Sequence, residues 1–146
     1  MTITQAELKE GNSWSFAPIV LSKADIIRFA AYNDPQPIHL EENAAKASIF
    51  GGLVAPGLQP YIAWHTRDWV KAVQGHFICG FGLDKVRFFK PVRPEMPLLP
   101  VLHIEAVEPE PAHRRQRVTW RVSFLDTSNR QVGFVVFLTY HQRSPH

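Results

Sequence analysis

The spacing of apolar residues changes near residue 76 from the period of a helix to that of a strand, and this change most constrains the fold. Residues 58–75, "LQPYIAWHTRDWVKAVQG", carry apolar side chains around most of a helix, and such a helix is normally buried. Four segments rich in β-branched and aromatic residues follow, at 76–89, 101–108, 117–126 and 131–141. A buried helix followed by antiparallel strands predicts an α+β fold in which a curled sheet wraps around one long central helix.

Shorter elements precede the long helix. Residues 22–33, "SKADIIRFAAYN", predict a helix in which Ser22 and Asp25 form a capping box. Residues 40–50, "LEENAAKASIF", predict a second helix, and 13–22 has the composition of a strand. The turn "DTSNR" predicts a hairpin between the last two strands.

Length and composition indicate one soluble globular domain over residues 1–146. The hydrophobic fraction is 45% and the charged fraction 20%, both typical of globular proteins. No apolar run approaches the roughly 18 residues of a membrane span. The N-terminal "MTITQAELKEG" lacks a signal-peptide pattern, and the single cysteine, Cys79, agrees with a reducing compartment. We therefore expect a cytoplasmic protein without membrane association.

The net charge of +3 is only mildly basic. The one dense basic run, "HRRQR" at 113–117, adjoins a predicted strand, whereas nucleic-acid binding needs a basic face with interleaved aromatic residues. We expect no nucleic-acid partner. Because one sheet and one helix leave open strand edges, we expect a homodimer.

The stretch "DPQPIH" at 34–39 is a candidate catalytic loop. Pro35 and Pro37 stiffen the backbone between Asp34 and His39, so the carboxylate and imidazole can be held close together. Such a pair can position and deprotonate a water molecule. On residue types alone, Asp34 could equally be a turn residue and His39 the start of a helix.

The stretch "APGLQP" leads into the long helix and is a candidate oxyanion site. The first N–H groups of a helix lack intrahelical acceptors and carry the positive end of the helix dipole. Gly57 would let a ligand approach this backbone closely, and such N–H groups stabilise a developing oxyanion. In isolation, Gly57 could also be a simple flexible joint.

Other chemistries lack support in the sequence. The pairs His65 with Asp68 and His39 with Glu42 do not have the spacing of a recognised metal site, so we expect no metal. Ser48 has no Gly-x-Ser-x-Gly setting, which disfavours a serine hydrolase.

"DPQPIH", followed by "AAKASIFGGLVAPG", resembles the MaoC-like dehydratases, the R-specific enoyl-CoA hydratases, whose signature is Asp-x-Asn-Pro-aliphatic-His. The segment "GFGLDKVRFFKPVRPEMPL" is similar to the family's strand ending in Pro-Val-x-x-Gly-Asp-x-Leu. The resemblance implies the hot-dog fold, usually dimeric. It also implies that Asp34 and His39 activate water, that the Gly57 N–H binds the thioester oxygen, and that coenzyme A carries the acyl group without any metal or redox cofactor.

The chain departs from that signature at several positions. Gln36 stands where the family usually has Asn, Asn33 replaces a glycine, and Pro94-Glu95 replaces Gly-Asp. Gln36 lies beside the reacting centre and is expected to influence substrate binding.

The expected substrate site extends beyond the dyad. We expect aromatic side chains to line the acyl pocket and basic side chains to meet the carrier's phosphates. These residues are Phe50, Tyr61 and Trp64 for the pocket, and Arg87, Lys90 and Arg93 for the phosphates. The alternatives to a hydratase or dehydratase are a hot-dog acyl-CoA thioesterase and a non-catalytic acyl-thioester-binding subunit.

Overall fold

A computed structural model describes residues 1–144 and shows a five-stranded antiparallel sheet with the strand order β1-β3-β4-β5-β2. The strands are β1 (Ser13–Ser15), β2 (Phe77–Phe88), β3 (Leu99–Glu110), β4 (Arg115–Leu125) and β5 (Gln131–Gln142). The predicted α+β class is confirmed, and so is the hairpin between β4 and β5. The strand predicted at 13–22 is shorter than expected, because after Ser15 only Ile19 forms an isolated bridge, to Leu98.

The helices lie between β1 and β2. They are α1 (Lys23–Asn33), α2 (Pro37–Leu40), α3 (Glu42–Ala47), α4 (Gln59–Trp64) and α5 (Val70–Ala72), with the π-helical segment His65–Trp69 joining the last two. We refer to residues 59–72 as the central helix. Single 3-10 turns occur at Gln5–Glu7 and Pro111–His113.

The predicted start of α1 is confirmed in detail. The amide of Asp25 donates to Ser22 Oγ and the amide of Ser22 donates to Asp25 Oδ2, both at 3.0 Å. The second predicted helix, 40–50, is wrong in its bounds, because the chain forms two short helices, α2 and α3, separated at Glu41.

The central helix packs against one face of the sheet through aromatic side chains. The rings of Trp69 and Trp120 meet edge-to-face with centroids 4.8 Å apart, and those of Trp69 and Phe137 at 4.9 Å. Such pairs stabilise a core beyond the area that they bury. The helix is buried as expected through Tyr61, Trp64 and Trp69, but not on every apolar side, because Ile62 and Val70 are exposed.

A chain of hydrogen bonds runs through the core between β5 and the N-terminus. His76 Nε2 lies 2.6 Å from the carbonyl oxygen of Ile3, and the two Nδ1 atoms of His76 and His141 are 2.9 Å apart. Thr139 Oγ1 lies 2.7 Å from His141 Nε2 and accepts from Trp120 Nε1 at 2.8 Å. With both imidazoles neutral, each ring donates one hydrogen bond and accepts one. The side-chain polar atoms of this network are then all hydrogen-bonded.

The strand β2 forms one edge of the sheet. Within the described chain it pairs only with β5, through three register shifts. None of its twelve residues is buried, and Phe81 and Leu83 are among its exposed apolar side chains. A long apolar edge of this kind is a template for pairing with another strand.

No helix within residues 1–144 has the length and the hydropathy that crossing a bilayer requires.

Candidate active site

The loop between α1 and α2 brings Asp34 and His39 together. Asp34 ends α1, where its amide donates to the carbonyl of Ala30 at 2.9 Å. Pro37 then begins α2, which turns His39 back towards Asp34. His39 Nε2 lies 3.2 Å from Asp34 Oδ2, with the imidazole buried and the carboxylate partly exposed. The structure therefore joins the two side chains that the sequence singled out.

The carbonyl of Val54 determines the tautomer of His39. His39 Nδ1 lies 2.6 Å from this carbonyl oxygen, which can only accept a hydrogen bond, so Nδ1 carries the hydrogen. In the neutral ring, Nε2 is then a hydrogen-bond acceptor facing the carboxylate of Asp34. At 3.2 Å the two atoms leave room for one shared hydrogen and for no molecule between them. A water molecule can instead lie to one side of the pair and donate one hydrogen to each acceptor.

A cavity of about 330 Å³ opens beside the imidazole, and both His39 and Gly57 line it. Its remaining wall is almost entirely apolar and includes Ile38, Val54, Pro60, Leu98, Phe124 and Val135. The composition of this wall suits an aliphatic chain rather than a charged ligand.

The backbone at Gly57 presents free donors at the N-terminus of the central helix. The amide of Ala55 donates to the carbonyl of Val92 at 2.8 Å, and that of Gln59 donates to Pro56 at 3.0 Å, which fixes the segment. Between them, the amides of Gly57 and Leu58 have no backbone acceptor within residues 1–144. Both residues are exposed. Unpaired N–H groups at a helix start can receive negative charge.

The predicted pocket residues divide between wall and core. Phe50 and Tyr61 line the cavity, whereas Trp64 does not and lies in the fully buried core. Burial raises the pKa of the Tyr61 hydroxyl to about 12, so this hydroxyl remains protonated across the physiological range. The structure places Trp64 against the rings of Phe16 and Phe137.

The three predicted phosphate-binding residues point to different places. Only Lys90 lines the cavity, and its ammonium pairs with Asp126 at 3.2 Å. Arg93 donates to the carbonyls of Phe50 and Gly52, so its guanidinium holds the loop before the central helix. Arg87 is exposed on β2, where it donates to the carbonyl of Val86.

Gln36 is the N-cap residue of α2, the last residue before the helix begins. Its own amide donates to the carbonyl of Asp34 at 2.8 Å, and its exposed side chain makes no capping hydrogen bond. The structure therefore does not bring the side chain of Gln36 into the wall of the cavity. In the described part of the chain, no group of three or more His, Cys, Asp or Glu side chains is arranged to hold a metal ion.

The sequence reasoning missed most of the apolar wall of the cavity and, with it, two residues that contact His39 or Gly57 directly. The first is Val54, which acts through its carbonyl oxygen, a group that every residue carries. The second is Phe88, whose ring contacts Gly57 and lines the cavity. The "VRFF" segment signals a strand, and nothing in it distinguishes Phe88 from Phe89.

Two comparisons with known protein sequences found similar proteins. A family model described as "MaoC like domain" matches residues 6–122. The uncharacterized protein YdeM of Bacillus subtilis (strain 168) is 30% identical over 108 residues, which are 71% of this chain and 74% of that protein.

Solved structures agree with this family. The MaoC-like dehydratase from Rhodospirillum rubrum superimposes with a TM-score of 0.83 and 29% identity, over 99% of both chains. The unliganded R-hydratase PhaJ1 from Pseudomonas aeruginosa does so with a TM-score of 0.71 and 22% identity, over 95% of this chain and 85% of that one. The expected hot-dog fold is confirmed.

Proposed function

Because this chain belongs to the MaoC-like domain family, we propose that it adds water to a 2-enoyl thioester, or removes water from a 3-hydroxyacyl thioester. The observation that carries the proposal is the 3.2 Å contact of His39 Nε2 with Asp34 Oδ2 at a cavity that Gly57 also lines. The imidazole of a water-activating pair and a donor for negative charge thus border one apolar space.

Water activation follows from the geometry of the dyad. A water molecule at this pair donates one hydrogen to His39 Nε2 and the other to the carboxylate of Asp34, which leaves an oxygen lone pair for the β-carbon. As the C–O bond forms, Nε2 accepts the proton of the water. The neighbouring carboxylate and the Val54 carbonyl stabilise the resulting imidazolium.

Charge develops at the other end of the acyl group. Attack on the β-carbon moves electrons through the double bond to the thioester oxygen, which becomes an enolate. The Gly57 N–H donates to this oxygen. The imidazolium then returns its proton to the α-carbon, so hydroxyl and hydrogen enter from one face of the double bond.

Coenzyme A is the proposed carrier of the acyl group. The reaction is neither an oxidation nor a reduction, and the chain's own groups transfer the proton, so the proposed mechanism needs no metal or redox cofactor. Lys90, at the rim of the cavity, and Arg87, exposed on β2, are the cations proposed to meet the carrier's phosphates. Arg93 is occupied by carbonyl groups of the loop.

A homodimer is the proposed assembly. The twelve-residue strand β2 is an open edge of the sheet with exposed apolar side chains such as Phe81 and Leu83. Pairing of two copies through β2 would extend the sheet across both protomers and remove its open edge.

The test is hydration of crotonyl-CoA and longer enoyl-CoAs by the purified protein, with product stereochemistry. Replacing Asp34 or His39 with Ala should lower kcat/KM by at least ~10²-fold, the usual contribution of a general acid–base group. Glu10→Gln and His113→Gln change an exposed carboxylate and an exposed imidazole that lie outside β2 and the dyad, and they should leave turnover unchanged.

Three results would contradict the proposal in different ways. Release of free thiol without loss of the enoyl group would show a thioesterase. Binding of acyl-CoA without any turnover, and with equal affinity in the Asp34 and His39 variants, would show a non-catalytic binding subunit. Equal activity of wild type and dyad variants would remove the dyad from the mechanism.

A further inference from the structure

The ring of Phe88, at the end of β2, lies directly on Gly57. A Cβ atom built on Gly57 would stand 2.4 Å from Phe88 Cε2 and 2.6 Å from its Cδ2 and Cζ, closer than real carbon atoms approach. The φ angle of Gly57 is not in the left-handed region, so its backbone conformation would admit an alanine. A side chain at position 57 would therefore have to displace the ring of Phe88.

The backbone of Phe88 is held in place while its ring remains accessible. Phe88 pairs with Gly133 on β5, and a Cβ on Gly133 would stand 2.7 Å from the carbonyl oxygen of Arg87, so the two strands approach closely. The Phe88 side chain is nevertheless 55% exposed and lines the cavity. Its ring therefore stands at the mouth of the cavity, against the Cα side of Gly57, the residue whose N–H is the proposed oxyanion donor.

We propose that Phe88 sets the width of the site at the thioester carbonyl, and thereby selects acyl thioesters without a substituent on the α-carbon. This inference rests on the proposed function, which places the thioester oxygen at the Gly57 N–H. The α-carbon is bonded to that carbonyl carbon, so it lies beside the ring that covers Gly57. A methyl group on the α-carbon would compete with the ring for the same space.

The neighbouring residue Phe89 provides a matched control. Its side chain is also 55% exposed and also lines the cavity. Its ring packs on Phe134, at a centroid distance of 5.9 Å, and not on Gly57. Truncation of Phe89 removes the same volume one residue away from the proposed contact.

The experiment measures the binding of butyryl-CoA and 2-methylbutyryl-CoA by calorimetry. These saturated thioesters cannot be hydrated, so the readout does not depend on turnover. One methyl group in a closely packed pocket changes selectivity by about 10–200-fold, and wild type should prefer butyryl-CoA by at least about 10-fold. Phe88→Ala should remove most of this preference, Phe88→Leu should reduce it, and Phe89→Ala should keep it.

Each outcome bears on the inference separately from the proposed function. Equal binding of both thioesters by wild type, or an unchanged preference in Phe88→Ala at an unchanged melting temperature, overturns the role of Phe88 even if wild type hydrates crotonyl-CoA. Loss of preference in Phe88→Ala without hydratase activity in wild type supports the role of Phe88 and rejects the proposed function. Absence of all acyl-CoA binding overturns both.

Discussion

His141 is a fully buried imidazole, and it should make the stability of the fold depend on pH. Burial lowers the pKa of His141 to about 3, and the neighbouring His76 ring contributes to the same shift. In the unfolded chain the pKa of a histidine is about 6.5. Between these two values the unfolded chain binds a proton at this residue that the folded chain does not.

The sign and size of the effect follow from proton linkage. The neutral ring stabilises the fold fully above pH 6.5, and this contribution falls as the pH decreases towards about 3. One differential proton changes the free energy of unfolding by about 1.4 kcal/mol per pH unit. Between pH 7.5 and pH 5 the loss from His141 is therefore about 2 kcal/mol, a large part of the roughly 5–15 kcal/mol that stabilise a typical domain.

Urea denaturation at intervals between pH 7.5 and pH 5 measures this loss. His141→Gln keeps a polar group in the network and removes the titration, so its free energy of unfolding should fall less steeply with decreasing pH than that of wild type. His113→Gln, at an exposed histidine, should keep the wild-type slope. If wild type and His141→Gln lose stability in parallel, the buried neutral imidazole is not the origin of the dependence.

Two further predictions concern single contacts. Gly57→Ala should lower the free energy of unfolding by about 0.5–1.5 kcal/mol, the cost of forcing the Phe88 ring out of its rotamer, and by clearly less in a Phe88→Ala background. Urea denaturation of wild type, the two single variants and the double variant measures both costs, and equal costs would disprove the contact. If the chain forms the proposed dimer, Leu83→Lys on β2 should convert it to monomer in light scattering. Val20→Lys, at a similarly exposed apolar residue outside the strand (46% against 51%), should not. A monomeric wild type, or a dimer in the Leu83 variant, would reject pairing through β2.

The fold was predictable where local sequence and tertiary packing favour the same structure. Ser22 and Asp25 specify the start of α1 through their own hydrogen bonds, and alternation of apolar residues specifies β4. The end of the central helix was not predictable to the residue. It stops at Ala72 instead of Gly75, because Val73 already leaves helical geometry to turn the chain towards β2. The helical pattern also predicted Ile62 and Val70 to be core residues, although both are exposed. Periodicity shows which residues of a helix are apolar, but not which of them the rest of the chain covers.

In the candidate site, too, some features could be predicted from the local sequence and others could not. The spacing of Asp34 and His39 around two prolines was enough to predict their proximity, because five residues and two fixed φ angles leave little freedom. Two other features depend on contacts between segments far apart in the chain: the carbonyl of Val54, 15 residues away, sets the tautomer of His39, and the ring of Phe88 covers Gly57 from another strand. The proximity of Asp34 and His39 is thus encoded locally, whereas the tautomer of His39 and the contact of Phe88 with Gly57 are set by the packed fold. A pair of side chains can therefore be inferred from its neighbours in sequence, but the orientation of the imidazole and the space around Gly57 require neighbours that are close only in the folded structure.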